Sequence, residues 1–301
     1  MNTKAISKKY KYIWLSLVVM FTWGLVPLFA KLGDLPGGQT TMWVNMFGTV
    51  GVLFIMTVLG KLTTIRQGIP YGSYVKLAVI WPLAYSIAYF SAIRIGGPSI
   101  ATITNYTWPA FALIFAFFLL KKTYPVKVWL VVLLAILGVA IPVILEGNTK
   151  LLLIPVVAGI FAGITQAYFN VRTSDISEET TWVLTLVVQA VTAVGAGIYV
   201  ALFENFQMPS TTTLWYLAYL GIIAGSIGFW AFINVSALPK SESETTTFYL
   251  LMCLTPLIQV LTLLIPIWHV ESVSPIRWIG VLLVSFSYLA YKILTEEKKE
   301  Q

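Results

Sequence analysis

Charged residues in this chain come in bunches, and between the bunches run apolar stretches of about 20 residues, the length an α-helix needs to cross the hydrocarbon core of a bilayer. Only 10% of the 301 residues are charged and 58% are hydrophobic, whereas a soluble domain carries roughly 25% charged residues. Lipid offers no hydrogen bonds to an open backbone, so apolar runs of this length commit the chain to helices. The sequence therefore predicts an all-α polytopic membrane protein. Its ten transmembrane helices are expected over 11–32, 40–60, 74–94, 98–120, 126–146, 151–172, 181–203, 212–236, 245–267 and 276–294. The first run has no small-residue cleavage site after it and is too long for a signal-peptide core, so it reads as a retained span. The single cysteine, Cys253, excludes an internal disulfide.

An even number of spans puts both termini on one side. Fifteen of the 19 Lys and Arg residues fall in the loops and tails of that side; Lys31, Arg94, Lys150 and Arg277 are the other four. By the positive-inside rule that side is the cytoplasm. The expectation is a multi-pass protein of the cell (cytoplasmic) membrane with both termini cytoplasmic. The net charge of +7 then belongs to cytoplasmic loops facing the lipid bilayer, and no nucleic-acid partner is expected.

The sequence also repeats itself. "SAIR" (91–94) ends span three and "SALPK" (236–240) ends span eight. "TWPAFALIF" from Thr107 pairs with "LTPLIQVLT" from Leu254, matching Pro109 to Pro256. "YPVKVWL" from Tyr124 pairs with "SPIRWIG" from Ser274, matching Lys127 to Arg277. Gly24 and Lys31 correspond to Gly163 and Asn170. The offsets drift in order, as a diverged duplication would. Residues 1–172 hold the first five-helix repeat and run into span six of the second; 150–295 hold the second repeat, and 296–301 form a charged tail. With an odd number of spans per half, the halves enter the membrane in opposite senses. Such a 5+5 inverted repeat places a site near the midplane between the halves, reached alternately from either side.

All 12 acidic residues fall in loops or at span ends, and Arg and Lys are absent mid-span. A proton-driven exporter needs a buried titratable relay, and a cation binder a buried counter-charge. Their absence points to a facilitator for a neutral or zwitterionic solute. His269, beside Trp268 at the outer end of span nine, reads as an interfacial residue. What remains mid-membrane is amide and aromatic. Tyr85 and Tyr89, Gln166 and Asn170, and Trp230 and Asn234 are each spaced i,i+4 and share a helix face. Span one adds Trp23, and span nine adds Tyr249 and Gln259. The alternative for any one amide is a hydrogen bond between helices, worth roughly 0.6 kcal/mol.

"TNYTWPAF" (104–111) concentrates this chemistry. Asn105 and Trp108, spaced i,i+3, share a face from which Tyr106 is turned away. Pro109, like Pro256, removes an i to i−4 hydrogen bond and is expected to kink its helix. The freed carbonyl is tolerated where it meets protein or a wet cavity. The stretch reads as a kinked cavity wall, with Asn105 a polar anchor and Trp108 a flat face that also attracts an ammonium group.

At this point the sequence resembles a family. Trp23-Gly24 with Lys31 in span one, and a polar-aromatic-Pro fourth span, are similar to the EamA branch of the drug/metabolite transporter superfamily over essentially the whole chain. Within it, "NYTWP" (105–109), "LGDLPGG" (32–38), "INVSAL" (233–238) and "LTP" (254–256) most resemble the aromatic amino-acid exporters. The resemblance implies a secondary transporter that exports aromatic or other neutral amino acids, or similar small metabolites, by alternating access. The alternative is an exporter or importer of another neutral or drug-like metabolite with broad specificity. That branch tends to have a tryptophan in span six where this chain has Ala162, which alters the aromatic wall. The substrate-binding set is then Trp23, Tyr85, Tyr89, Asn105, Trp108, Gln166, Asn170, Trp230, Asn234 and Tyr249. No cofactor or metal is expected. HExxH, paired carboxylates and a Ser–His arrangement are all absent, so the sequence does not read as an enzyme. It leaves the oligomeric state open, a monomer included.

Overall fold

The structure is a computed structural model. It describes residues 3–296 except 67, 122, 125, 147–148, 174–175, 177–179, 238–241 and 269. Side chains are described over 11–65, 68–121, 123–124, 126, 128–146, 152–173, 176, 180–235, 253–268, 270–287 and 289–290. The Tyr249 side chain, His269 and half of the 172–181 linker lie outside the described residues.

The described chain is all helical. In order the helices are α1 (Thr3–Gly24), α2 (Val26–Gly33), α3 (Gly37–Val58), α4 (Tyr71–Ala78), α5 (Ala84–Gly96), α6 (Pro98–Asn105) and α7 (Trp108–Leu119). They continue as α8 (Leu130–Leu145), α9 (Thr149–Arg172), α10 (Thr181–Phe203), α11 (Thr211–Ala218), α12 (Phe229–Ala237), α13 (Glu242–Leu263) and α14 (Pro275–Glu296). Among the described residues, seven helical stretches are long and apolar enough to cross a membrane: Lys11–Gly33, Gly37–Val58, Tyr71–Gly96, Pro98–Leu119, Leu152–Arg172, Thr181–Phe203 and Thr211–Val235. At the positions of the fifth, ninth and tenth expected spans there are shorter apolar helices, Leu130–Leu145, Cys253–Leu263 and Pro275–Ser287. Many large apolar side chains face outward, among them Phe54, Phe118, Ile154 and Phe203, as a bundle immersed in lipid requires.

Four of the seven long stretches are interrupted, and the interruptions position the site. The first lies between α1 and α2. Pro27 has no N–H, so the Trp23 carbonyl four residues earlier loses its helical donor. Three successive carbonyls here are taken up by side chains from far along the chain. Tyr219 Oη donates to Thr22 O at 3.2 Å, Gln259 Nε2 to Trp23 O at 2.9 Å and Thr262 Oγ1 to Gly24 O at 3.4 Å. The second and third interruptions are π-helical: Val79–Leu83 between α4 and α5, and Tyr219–Gly228 between α11 and α12. They overlap when aligned by the offset of 145 that pairs 91–94 with 236–240. Trp81 leaves helical geometry altogether (φ −148°, ψ 131°).

The fourth interruption separates α6 from α7 at Tyr106 and Thr107, just before Pro109. α9 receives it through two glycines. A Cβ on Gly163 would lie 2.9 Å from both Asn105 O and Thr107 Oγ1, and one on Gly159 would collide with the Thr104 side chain. Only glycine lets the broken segment come this close. Pro256 behaves differently from its counterpart: it lies inside α13 as one continuous helix.

The main packing partners are α3 with α10 and with the 219–228 stretch, α8 with α14, α5 with α9, α7 with α9, and α13 with α14 and α1; α1 also packs on α12. At one end of the bundle, carboxylates tie helices together. Glu204 after α10 accepts from Gly38 N (2.8 Å) and Gln39 N (3.0 Å) at the start of α3. Glu271 accepts from Ser99 N at 2.8 Å, and Arg277 pairs with both Glu271 and Glu146.

Candidate functional site

The interruptions of α1–α2, the two π-helical stretches and the α6–α7 break surround one cavity of about 110 Å³. Its walls come from α1, α3, the 79–83 stretch with α5, α6–α7, α9, α10, the 219–228 stretch with α12, and α13. That volume is below the roughly 150 Å³ that admits benzene in an engineered cavity.

The aromatic walls form a linked set. Trp81 packs on Phe169 (ring centroids 4.2 Å apart) and Phe229 (5.0 Å), and sits 5.3 Å from Tyr85. Tyr85 stacks on Tyr89 at 5.5 Å. Trp23 and Trp108 both contact Phe232, at 4.8 Å and edge-on at 6.5 Å. The Trp23 indole N–H donates to Ala224 O in the longer π-helical stretch at 3.2 Å.

Amides supply the polarity. Asn105 Nδ2 donates to the Tyr85 hydroxyl at 3.3 Å, Gln166 Nε2 to Asn170 Oδ1 at 3.0 Å and Asn45 Nδ2 to Thr41 O at 2.7 Å. Gln189 Nε2 donates to Gly225 O at 2.6 Å, and Gln259 Nε2 to Trp23 O. Among the described residues, no carboxylate, Lys or Arg lines the cavity, and no group of His, Cys, Asp and Glu is placed to bind a metal.

Of the residues expected at the site, Trp23, Tyr85, Tyr89, Asn105, Trp108 and Gln166 line the cavity. Asn170 stands behind Gln166 as its hydrogen-bond acceptor. Trp230 and Asn234 lie elsewhere: Trp230 stacks on Trp182 at 4.5 Å, and Asn234 Nδ2 donates to Thr181 Oγ1 at 3.2 Å. They occupy the positions equivalent to Tyr85 and Tyr89, yet the π-helical stretch before them runs ten residues against five. Each i→i+5 turn rotates the face of the helix beyond it, so the two pairs do not point alike. Tyr106 lines the cavity instead of turning away, because the helix stops at Asn105 and the i,i+3 face rule does not carry across the break. Ala162, where the resemblance expects a tryptophan, is fully buried in the apolar cluster that includes Tyr89 and Ala101 and does not line the cavity. Asn45, Trp81 and Gln189 line the cavity without being singled out by sequence reasoning. Asn45 and Gln189 carry the same signal as Asn105, an amide within an apolar span. Trp81 carries one in the adjoining Pro82.

Residues 10–144 match the EamA-like transporter family. No curated protein matches the chain at a significant level. Solved structures do, and one whose title reads only "Crystal structure of protein" superposes with a TM-score of 0.66 at 19% identity, covering 96% of this chain and 99% of that one. At that identity the likeness is one of fold. The chain is thus a multi-pass membrane protein with an EamA-like region, built around an uncharged cavity walled by amides and aromatic rings.

Proposed function

We propose that the protein is a secondary transporter that exports aromatic or other neutral amino acids, or similar small metabolites, as a facilitator working by alternating access. The match of residues 10–144 to a transporter family supports the general class. One observation carries the reading further: three of the four backbone breaks beside the cavity are held by a side chain or glycine face from another part of the chain. Gln259 and Tyr219 hold α1–α2, Trp23 holds the 219–228 stretch, and α9 seats the α6–α7 break.

In this reading the seven long helical stretches and the three shorter apolar helices are ten spans in a 5+5 inverted repeat. The packing supports it in part: exchanging the halves maps the α3–α10 and α8–α14 pairs onto themselves, α5–α9 onto α12–α1, and α7–α9 onto α13–α1, whereas the close α13–α14 pair has only a weak counterpart in α7–α8. Transport is then a rocking of one half against the other around a fixed site, with the cytoplasm on the side of the termini. The substrate-binding set is the six lining residues together with Asn45, Trp81, Tyr106 and Gln259. The test is counterflow in proteoliposomes against a panel of amino acids, nucleosides and quaternary amines. Exchange of a labelled neutral amino acid is expected. Exchange of nucleosides alone would refute the assignment.

A further inference from the structure

α2 is the part of the first membrane stretch that lies beyond the break, and α5, α6, α11 and α13 all pack on it. Val26, at its start, lines the cavity. Its last turn carries Lys31, one of the four basic residues that the charge count places outside. In the proposed topology α2 therefore plugs the bundle between the cavity and the extracytoplasmic side. Both of its ends are interruptions: it begins after Leu25, which makes no side-chain cap, and stops at left-handed Asp34 (φ 47°). The carbonyls that precede it, those of Thr22, Trp23 and Gly24, are hydrogen-bonded by Tyr219, Gln259 and Thr262. Withdrawal of α2 would leave none of the three without a partner. The repeat matches Gly24 and Lys31 to Gly163 and Asn170, and there α9 runs unbroken from Thr149 to Arg172. One end of the bundle has a segment between two interruptions where the other has continuous helix.

We propose that α2 is the extracytoplasmic gate of the cavity, swinging on Leu25 and Asp34, with Phe29 as its clasp. Phe29 stacks on Tyr216 at 5.4 Å and meets Tyr219 (4.7 Å) and Trp268 (6.0 Å) edge-on. These rings belong to α11, to the 219–228 stretch and to the chain after α13, so one side chain ties the segment to three elements. At its tip, Lys31 Nζ donates to Arg94 O at 3.4 Å and Arg94 approaches Asp34 at 4.0 Å, both at the exposed surface. Exposed pairs of this kind hold little. Ring contacts depend on a geometry that a tilt of the segment destroys, so the clasp releases with a small movement. The proposal rests on the transport reading and names the part that moves at one end.

The test uses the full chain with Cys253→Ala as background and Val26→Cys as reporter. A membrane-impermeant thiol reagent is added outside intact cells and the labelling rate is measured. Labelling is expected to be slow, and about tenfold or more faster with Phe29→Ala, the shift that a lost clasp gives a closed–open equilibrium. Phe21→Ala, on the exposed face of α1, should change nothing. Equal rates with and without Phe29→Ala would overturn the proposal. A second measurement does not need that variant. A Cβ on Gly33 would lie 3.8 Å from Thr213 Cγ2 on α11. Gly33→Cys and Thr213→Cys, in the same background without the reporter, are joined by a short reducible cross-linker, and the bridge is verified by mass spectrometry. Counterflow should stop on bridging and return on reduction. Undiminished counterflow by the bridged protein would overturn the gate and leave transport standing. Faster labelling with Phe29→Ala in a protein that shows no counterflow would refute transport and leave the gate standing.

Discussion

Gln259 gives the Trp23 carbonyl the hydrogen bond that Pro27, four residues further along α1–α2, cannot supply. The two bonded residues lie 236 positions apart in sequence, so the break in the first membrane stretch is completed by the ninth expected span. A backbone defect early in the chain has its remedy late in it, and both residues line the cavity.

That relationship makes a direct prediction. Gln259→Leu leaves a buried carbonyl unpaired, a cost of about 1–3 kcal/mol. Pro27→Ala restores the missing N–H and should recover part of the loss in the double variant. Chemical denaturation of the purified protein measures both. A double variant no more stable than Gln259→Leu alone would show that Pro27 is not the cause.

Close packing at Gly159 makes a second. Gly159→Ala drives a methyl into Thr104 at the α6–α7 break, and overpacking of this kind costs about 1–3 kcal/mol. Gly197→Ala meets nothing nearer than the Met42 sulfur at 3.8 Å and should be tolerated. Folded yield by size-exclusion chromatography separates the two; equal yields would contradict the packing described.

Much of this architecture is legible in the sequence, for physical reasons that differ by residue. The gaps between charges give the long helical stretches because lipid leaves an unpaired backbone no alternative. Asn105, Gln166 and Trp23 stand out because an amide or indole in an apolar span has to find a partner. The faces of Tyr106 and Trp230 are not legible, since each comes after an interruption that resets the helical phase. Pro109 announces its break, but nothing local distinguishes it from Pro256, which sits inside continuous helix. Trp81 reaches the cavity only through the non-helical geometry at the 79–83 stretch, which no periodicity encodes.

Topology gives a third prediction. The charge distribution requires the 172–181 linker and Gln301 to lie on the cytoplasmic side. Reporter fusions at both places should give the cytoplasmic signal. An external linker is incompatible with two inverted halves.

Coupling gives a fourth. With amides and aromatic rings in place of carboxylates around the cavity, transport should follow the solute gradient and persist when a protonophore collapses the proton gradient. Uptake that stops on adding the protonophore would require a relay that the cavity residues do not provide.

The central claim, that this cavity is the transport site, is tested most directly by counterflow of a labelled neutral amino acid in proteoliposomes. Unaltered protein, Asn105→Ala and Trp108→Ala are to be compared at equal, verified insertion. Loss of a hydrogen bond to a charged solute group costs about 1.5–3 kcal/mol, so Asn105→Ala should slow exchange tenfold or more. Trp108→Ala should weaken it through loss of the stacking face. Exchange by both variants at the rate of the unaltered protein would show that the solute passes elsewhere and that the break at Asn105 serves packing alone.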